Sequence, residues 1–77
     1  MIQVIKVRNP RTNRDKYYEQ DTNKLIAYYE EPDIYGDEHL TITDYGSDQG
    51  YYSGNNNLCK FGESNKITIR SKANGTN

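Results

Sequence analysis

Alternating and β-branched residues predict β-strands at both ends of the chain. Residues 2–7 form a largely β-branched run that ends at the turn signal Asn9-Pro10, and apolar residues on both faces are typical of a central strand. Residues 40–43 alternate between apolar and polar, as do residues 66–70, so each segment predicts a further strand. The side chains expected to face the core from these two strands are Leu40, Ile42, Ile67 and Ile69.

One segment of the first half fits two structures. A helix over residues 22–31 would have a polar N-cap at Asp21 and would end before Pro32. The alternative is a β-hairpin in which residues 17–20 pair with residues 25–30. Acidic residues at the C-terminal end oppose the helix dipole and favour the hairpin. The apolar spacing along one face nevertheless makes the helix our prediction.

The rest of the chain completes a small α+β domain. Residues 44–57 are rich in Gly, Ser, Asn, Asp and Tyr, which predicts a long loop or a weak strand around Tyr51-Tyr52, and residues 58–61 predict a short strand. We expect a single domain over residues 1–71 with a frayed tail over residues 72–77. Its sheet would have about four or five antiparallel strands with one short helix on one face, and an all-β fold is the alternative.

The composition allows only a thin hydrophobic core. Of the 77 residues, 32% are hydrophobic, and this class includes 8 tyrosines. No stretch approaches the roughly 20 apolar residues of a membrane span, and the first residues lack the basic and apolar regions of a signal peptide. The single cysteine, Cys59, is untypical of small secreted domains. We therefore expect a cytoplasmic protein.

The chain is poor in residues that carry catalysis. His39 is the only histidine, and we expect it to face solvent at the start of a strand. Cys59 alternates with apolar neighbours and is predicted to be a small buried hydrophobe. The carboxylates of residues 33–48 lack the spacing of a calcium-binding loop, and the glycines lack that of a phosphate-binding loop. We predict a protein that is not an enzyme and that holds neither a metal nor a cofactor.

Charge is segregated along the chain although the net charge is only −1. The first 16 residues are net basic, residues 17–48 are strongly acidic, and the remainder is net basic again. Tyrosines accompany the acids, and tyrosine offers a rigid contact area at low entropic cost. This predicts a non-catalytic module that binds a larger protein with a basic surface. The residues expected in this contact are Tyr28, Glu30, Glu31, Asp33, Tyr35, Asp37, Glu38, Tyr45, Asp48, Tyr51 and Tyr52.

Two other modes of association remain open at this stage. A homodimer could be joined through a tyrosine-rich face. Alternatively, basic residues of the first hairpin and the last strand could share a surface that binds nucleic acid. The residues of that alternative surface are Lys6, Arg8, Arg11, Arg14, Lys66 and Arg70. The isoelectric point of about 5.7 is low for a nucleic-acid-binding module, which makes this the second choice.

In size and composition the chain resembles small phage-encoded inhibitors of host proteins. The shared features are short length, a single domain, abundant Asn, Tyr and Lys, and the lack of a catalytic set. Anti-CRISPR and related anti-defence proteins are examples of this class. The resemblance implies stoichiometric inhibition, in which the protein covers a functional surface on a larger nuclease or effector complex. The resemblance concerns size and composition only, so it does not identify any binding residues in this chain.

Overall fold

The computed structural model describes residues 2–54, 57–62 and 67–71 of the chain. Most of these residues lie in β-strands, and a single short helix interrupts them, so the protein is a small α+β protein as predicted. The elements are β1 (Ile2–Asn9), β2 (Arg14–Glu19), β3 (Leu25–Tyr29), β4 (Leu40–Ile42), α1 (Asp44–Asp48), β5 (Tyr51–Gly54), β6 (Asn57–Lys60) and β7 (Ile67–Ser71). No helix within these ranges has the length and hydrophobicity that a membrane span requires.

The main sheet has five strands in the order β4-β3-β2-β1-β7. Strands β1 to β4 form an antiparallel meander, whereas β7 pairs with β1 in parallel. The sheet is therefore mostly antiparallel, with a single parallel pair at this edge. The chain must travel from β4 at one edge to β7 at the other, and α1 and the β5–β6 hairpin occupy that crossover. The connection between the edges thus supplies a second layer over one face of the sheet.

The predicted helix over residues 22–31 is wrong, and the hairpin alternative is correct. Residues 25–29 form β3, which pairs with β2 on one side and β4 on the other. Asn23 adopts a positive φ of 64° in the turn, a conformation that Asn tolerates and that would break a helix at its first turn. Asn13 plays the same part in the β1–β2 turn, with φ 60° and an amide that donates to the Asn9 carbonyl at 2.7 Å.

A β-bulge in β3 gives the sheet its only internal irregularity within the described ladders. Tyr17 lies opposite Ala27 but Tyr18 lies opposite Leu25, so Ile26 is an extra residue. Ile26 and Ala27 are both fully buried, as expected when a bulge turns two successive side chains toward one face. The bulge also leaves backbone carbonyls of β3 free to accept hydrogen bonds from outside the ladder.

Thr43 takes up the carbonyls that the bulge leaves free. Its amide donates to the Ile26 carbonyl at 3.0 Å, and its hydroxyl donates to the Leu25 carbonyl at 2.8 Å. The same hydroxyl accepts from the Gly46 amide at 3.1 Å and caps the N-terminus of α1. Thr43 therefore attaches the start of the crossover layer directly to a central strand.

Gly46 allows α1 to approach β3 closely. It is the buried residue of the helix, and a Cβ built on it would overlap the Ile26 carbonyl oxygen and lie 3.0 Å from Ile42 Cγ2. The helix lies in the segment that the sequence analysis assigned to a loop or weak strand, whereas β5 does contain Tyr51-Tyr52. The helix was missed because it has a single turn and follows no apolar period.

The core lies between the main sheet and the crossover layer. Ile67 and Ile42 pack against it as predicted, whereas Ile69 is 37% exposed because β7 is an edge strand. Its members come from both layers, and two of them are tyrosines, which compensates for the low aliphatic content. The buried residues are Val4, Tyr17, Ile26, Ala27, Leu40, Tyr51 and Leu58.

The opposite face of the main sheet has no layer over it among the described residues. The ladder registers place alternate side chains of every strand on this face, which we call the open face. Its side chains are half-buried or exposed in the structure. The open face consists of Gln3, Ile5, Val7, Asn9, Arg14, Lys16, Tyr18, Leu25, Tyr28, Thr41, Thr68 and Arg70.

We expect Gly46→Ala to lower the free energy of unfolding by about 1–3 kcal/mol, because the added methyl group meets a backbone carbonyl that cannot move without opening the bulge. Urea denaturation followed by circular dichroism measures the change. Ser47→Ala in the same helix is the control, since Ser47 is exposed. If the two variants have equal stability, α1 does not dock on β3 as described.

Candidate functional site

The connection between β3 and β4, residues 30–39, carries the densest charge on the protein. We call it the acidic connection. Every residue in it is exposed. The sequence between Lys24 and Lys60 contains no Lys or Arg, so His39 is the only basic side chain within the connection. Its acidic residues are Glu30, Glu31, Asp33, Asp37 and Glu38.

Asp33 folds the acidic connection into a defined turn. Its Oδ1 accepts from the Tyr35 amide at 2.9 Å and from the Asp37 amide at 3.1 Å. Its backbone closes the same turn, donating to the Asp37 carbonyl at 3.0 Å and accepting from the Gly36 amide at 2.9 Å. Gly36 has a φ of 83°, a conformation that glycine adopts without strain. The turn is therefore held by its own side chain and backbone.

His39 completes the turn from the other end. Its Nε2 lies 3.0 Å from Asp33 Oδ2, so the only histidine of the chain pairs with the residue that organises the connection. The Asp33 bond raises the pKa of His39, and the charges of Asp37 and Glu30 add to this effect. The His39 bond and the two backbone amides lower the pKa of Asp33. His39 faces solvent as expected, but it also has a structural partner that the sequence analysis did not identify.

The turn presents two large apolar side chains to solvent. Ile34 is 91% exposed and Tyr35 is 82% exposed, the highest values among the large hydrophobic residues described. Tyr35 belongs to the predicted contact surface, whereas Ile34 was missed. In the sequence, Ile34 stands out only as an isolated aliphatic residue within the polar segment 32–37. An aliphatic residue in such a segment is not expected to contribute to a core. Side chains of this type, held on an ordered turn, are typical anchors of protein interfaces.

A shallow polar cavity of about 740 Å³ lies between the acidic connection and the β1–β2 turn. Arg8 lies in its wall and binds Asp15 through two nitrogens, at 3.1 and 3.3 Å. This pair raises the pKa of Arg8, and the charge of Glu38 contributes to the same shift. Arg8 is therefore already matched by carboxylates and does not neutralise the rest of the acidic connection.

Two of the predicted contact tyrosines are used inside the molecule. Tyr51 is 3% exposed, and burial raises its pKa to about 12. The hydroxyl of Tyr45 donates to Glu19 at 2.6 Å, and the hydroxyl of Tyr51 lies 3.5 Å from the same carboxylate. Thr22 also donates to Glu19 at 2.7 Å. Glu19 thus joins β2 to both parts of the crossover layer, and placing Tyr51 at an external contact was wrong.

The other predicted contact residues are dispersed. Tyr28 lies on the open face directly opposite Lys16, outside the acidic connection. Tyr52 stacks on Phe61 with ring centroids 4.3 Å apart, at the β5–β6 hairpin. Asp48 is exposed at the end of α1. The structure therefore groups Glu30, Glu31, Asp33, Tyr35, Asp37 and Glu38 in one element and separates the remaining five.

The alternative basic surface is also divided. Lys6 and Arg8 alternate with the open-face residues of β1 and lie on the covered side, whereas Arg14 and Arg70 lie on the open face. Arg11 is exposed in the β1–β2 turn. Lys66 lies outside the described residues. The five described residues of this set do not form one surface, because neighbouring positions of a strand point to opposite faces.

The described residues contain no group of three or more His, Cys, Asp or Glu side chains that could hold a metal ion. Cys59 is half-buried with a free thiol, so the prediction of a fully buried side chain is not met. Comparison with protein-family models, curated proteins and solved structures finds no match to this chain. The site must therefore be interpreted from its own geometry. That geometry is an ordered acidic turn with two apolar anchors.

Tyr45→Phe removes the strongest bond to Glu19, so we expect the pKa of Glu19 to rise toward its ordinary value of 4.5. Because that bond lowers the pKa in the folded state, its stabilisation is present above pH 4.5 and is lost as the pH falls through the lowered pKa. The variant should also have a lower free energy of unfolding than the wild type at neutral pH, and the difference should shrink as the pH falls below 4.5. NMR titration of the carboxylate and urea denaturation at several pH values measure both effects. Tyr35→Phe is the control, and an equal response in both variants would contradict the Glu19 network.

The imidazole of His39 should titrate with a pKa above its ordinary value of 6.5. Asp33→Asn should return the pKa toward 6.5, and Asp37→Asn should lower it less because Asp37 acts only through its charge. The pair stabilises the turn fully below pH 6.5, and the contribution is lost as the pH rises through the raised pKa. Proton NMR of the single histidine gives the titration directly. Equal shifts in the two variants would exclude the Asp33–His39 bond.

Proposed function

We propose that this protein is a non-catalytic protein-binding module that acts as a stoichiometric inhibitor through the acidic connection. The observation that carries the proposal is the exposure of Ile34 and Tyr35 on a turn that Asp33 holds in place. An ordered anchor loses less conformational entropy on binding than a flexible loop. Exposed apolar side chains rimmed by polar groups are a common feature of protein interaction sites.

The charges around Ile34 and Tyr35 indicate the chemistry of the surface to which the protein binds. Five carboxylates surround the turn, so the complementary surface has an apolar pocket for Ile34 or Tyr35 and a basic rim. Basic surfaces with apolar pockets occur in the nucleic-acid channels of enzymes, and an acidic turn would occupy such a channel in place of phosphates. The partner is therefore a larger protein with a basic surface, and inhibition follows when the covered surface is its working surface.

The apolar anchors and the carboxylates of the acidic connection contribute to different steps of binding. The apolar anchors supply burial and slow dissociation, whereas the carboxylates at the rim accelerate association through long-range attraction. A higher salt concentration should therefore lower the association rate constant and leave the dissociation rate constant nearly unchanged. This separation distinguishes the proposed site from a purely electrostatic contact.

The variant Ile34→Ser/Tyr35→Ser should abolish capture of the partner, because both anchors are lost while the turn bonds of Asp33 remain. Immobilised wild-type and variant proteins are compared by quantitative mass spectrometry of nuclease-treated host lysate. Phe61→Ser is the matched control, since Phe61 is an exposed aromatic residue, at 66%, in a different element. A specific partner is retained by the control and lost by the anchor variant.

With the purified partner, Glu31→Lys/Asp37→Lys should reduce the association rate about tenfold or more at low salt and much less at high salt. Surface plasmon resonance measures both rates, and titration of the partner's activity gives the stoichiometry. A partner that binds both sets of variants as tightly as the wild type would refute the proposed site. If the protein binds the partner without inhibiting it, the proposed binding site is supported and the proposed inhibitory function is refuted.

A further inference from the structure

The open face differs in chemistry from the acidic connection. Its charged strand residues are Arg14, Lys16 and Arg70, all of them basic. Glu30 follows β3 at the edge of this face, where it accepts a hydrogen bond from the Thr41 hydroxyl. The ladders of the described residues therefore produce a basic face on a protein whose net charge is −1. Opposite signs of charge lie on different parts of the surface.

Two tyrosines lie among these basic residues on adjacent strands. Tyr28 lies opposite Lys16, and Tyr18 is the next residue of β2 on the same face, so the two rings are diagonal neighbours across the β2–β3 ladder. Both are half-buried, which leaves part of each ring accessible. In contrast to Tyr45 and Tyr51, neither is a member of the core or of the Glu19 network.

Apolar residues and an amide surround the Tyr18 ring. Ile5 lies opposite Tyr18 in the β1–β2 ladder, and Leu25 lies opposite it in the β2–β3 ladder. A shallow depression of about 190 Å³ is lined by Ile5, Val7, Tyr18 and Asn23. The Asn23 side chain has a donor and an acceptor, which suits the polar edge of a flat ring.

We propose that the open face binds single-stranded nucleic acid, with bases stacked on Tyr18 and Tyr28 and phosphates held by Lys16, Arg14 and Arg70. Charge complementarity favours a polyanion over other occupants. A second copy of the chain would bring one basic face against another across a two-fold axis, which opposes association. Flat aromatic rings beside cations on a sheet are suited to unstacked bases, which a duplex does not offer.

This site meets the acidic connection only at Arg14, which also lines the cavity beside Asp37 and Glu38, and it differs from the basic surface predicted from the sequence. It retains only Arg14 and Arg70 of that set and adds Lys16, Tyr18 and Tyr28. The new members were missed because the pairing of β2 with β3 had to be known before Tyr18 and Tyr28 could be assigned to the same face as Lys16.

Fluorescence anisotropy with a labelled oligouridylate of about 12 nucleotides tests the proposal. Few cations are involved, so we expect a dissociation constant of roughly 10⁻⁴ to 10⁻⁶ M at low salt. Three phosphate contacts should make binding about 20-fold weaker when salt rises from about 50 to about 200 mM. A duplex of the same length should bind more weakly than the single strand, because its bases are already stacked.

Tyr18→Ala and Tyr28→Ala should each weaken binding by about 5- to 100-fold, while Tyr18→Phe and Tyr28→Phe retain it because the stacking ring remains. Lys16→Ala should reduce the slope of the logarithm of the binding constant against the logarithm of the salt concentration, by about the amount expected for one lost phosphate contact. Phe61→Ala, an exposed aromatic residue outside both proposed sites, is the matched control and should bind as the wild type does. Circular dichroism confirms that each variant is folded, and a Leu variant, which keeps apolar bulk but has no stacking ring, replaces any Ala variant that is not.

Three results would overturn the proposal. The first is no binding of the single strand at low salt, and the second is equal binding of single strand and duplex. The third is a concentration-dependent dimer, seen by sedimentation, that is lost in Tyr28→Ala, since the open face would then be covered by a second copy. None of these results concerns Ile34 or Tyr35, so failure here leaves the protein-binding proposal standing.

Discussion

The contact between Thr43 and the β3 bulge determines the arrangement of the second layer. A meander of four strands buries one face only if another element is laid across it, and here that element begins immediately after β4. The bulge exposes the carbonyls of Leu25 and Ile26, and Thr43 satisfies both through its hydroxyl and amide. Gly46 then lets α1 lie against the strand. The chain is thereby directed over the sheet toward its far edge, where β7 pairs with β1 in parallel.

Tyrosine hydroxyls give the second layer its polar link to the sheet. A core with few aliphatic residues gains area from Tyr17 and Tyr51, but each ring carries a hydroxyl that needs a partner. Glu19 lies at the end of β2, where its carboxylate accepts a hydrogen bond from the Tyr45 hydroxyl and lies near the Tyr51 hydroxyl. Lys24 and Lys60 lie over the two rings, 4.7 and 5.1 Å from the centroids. Tyrosines in this environment are structural, which is why composition alone overstated the contact surface.

The sequence predicted features that depend on local pattern and missed those that depend on pairing. A β-branched run identified β1 and alternation identified β4 and β7, and the cluster of acids at residues 30–38 was recognised before its geometry was known. The segment 25–29 was assigned to a helix because its apolar spacing fits both structures, and pairing on both sides decides for a strand. Nothing in the pattern of residues 44–48 distinguishes a one-turn helix from a loop, since Thr43 and Gly46 act through contacts with β3. Ile34 was missed because an isolated aliphatic residue in a polar segment has no periodic pattern, and only its exposure in the folded protein identifies it as an anchor.

Segregated charge has a consequence for any nucleic acid on the open face. Glu30 marks the β4 edge of that face, and the acidic connection continues from it, so phosphates are repelled at this side. Arg70 lies on β7 at the opposite edge, and Lys16 lies between the two. A strand stacked on Tyr18 and Tyr28 would therefore extend toward the β1–β7 edge and leave the acidic connection uncovered. The two proposed surfaces would then bind their ligands on different sides of the sheet, so occupation of one would not block the other.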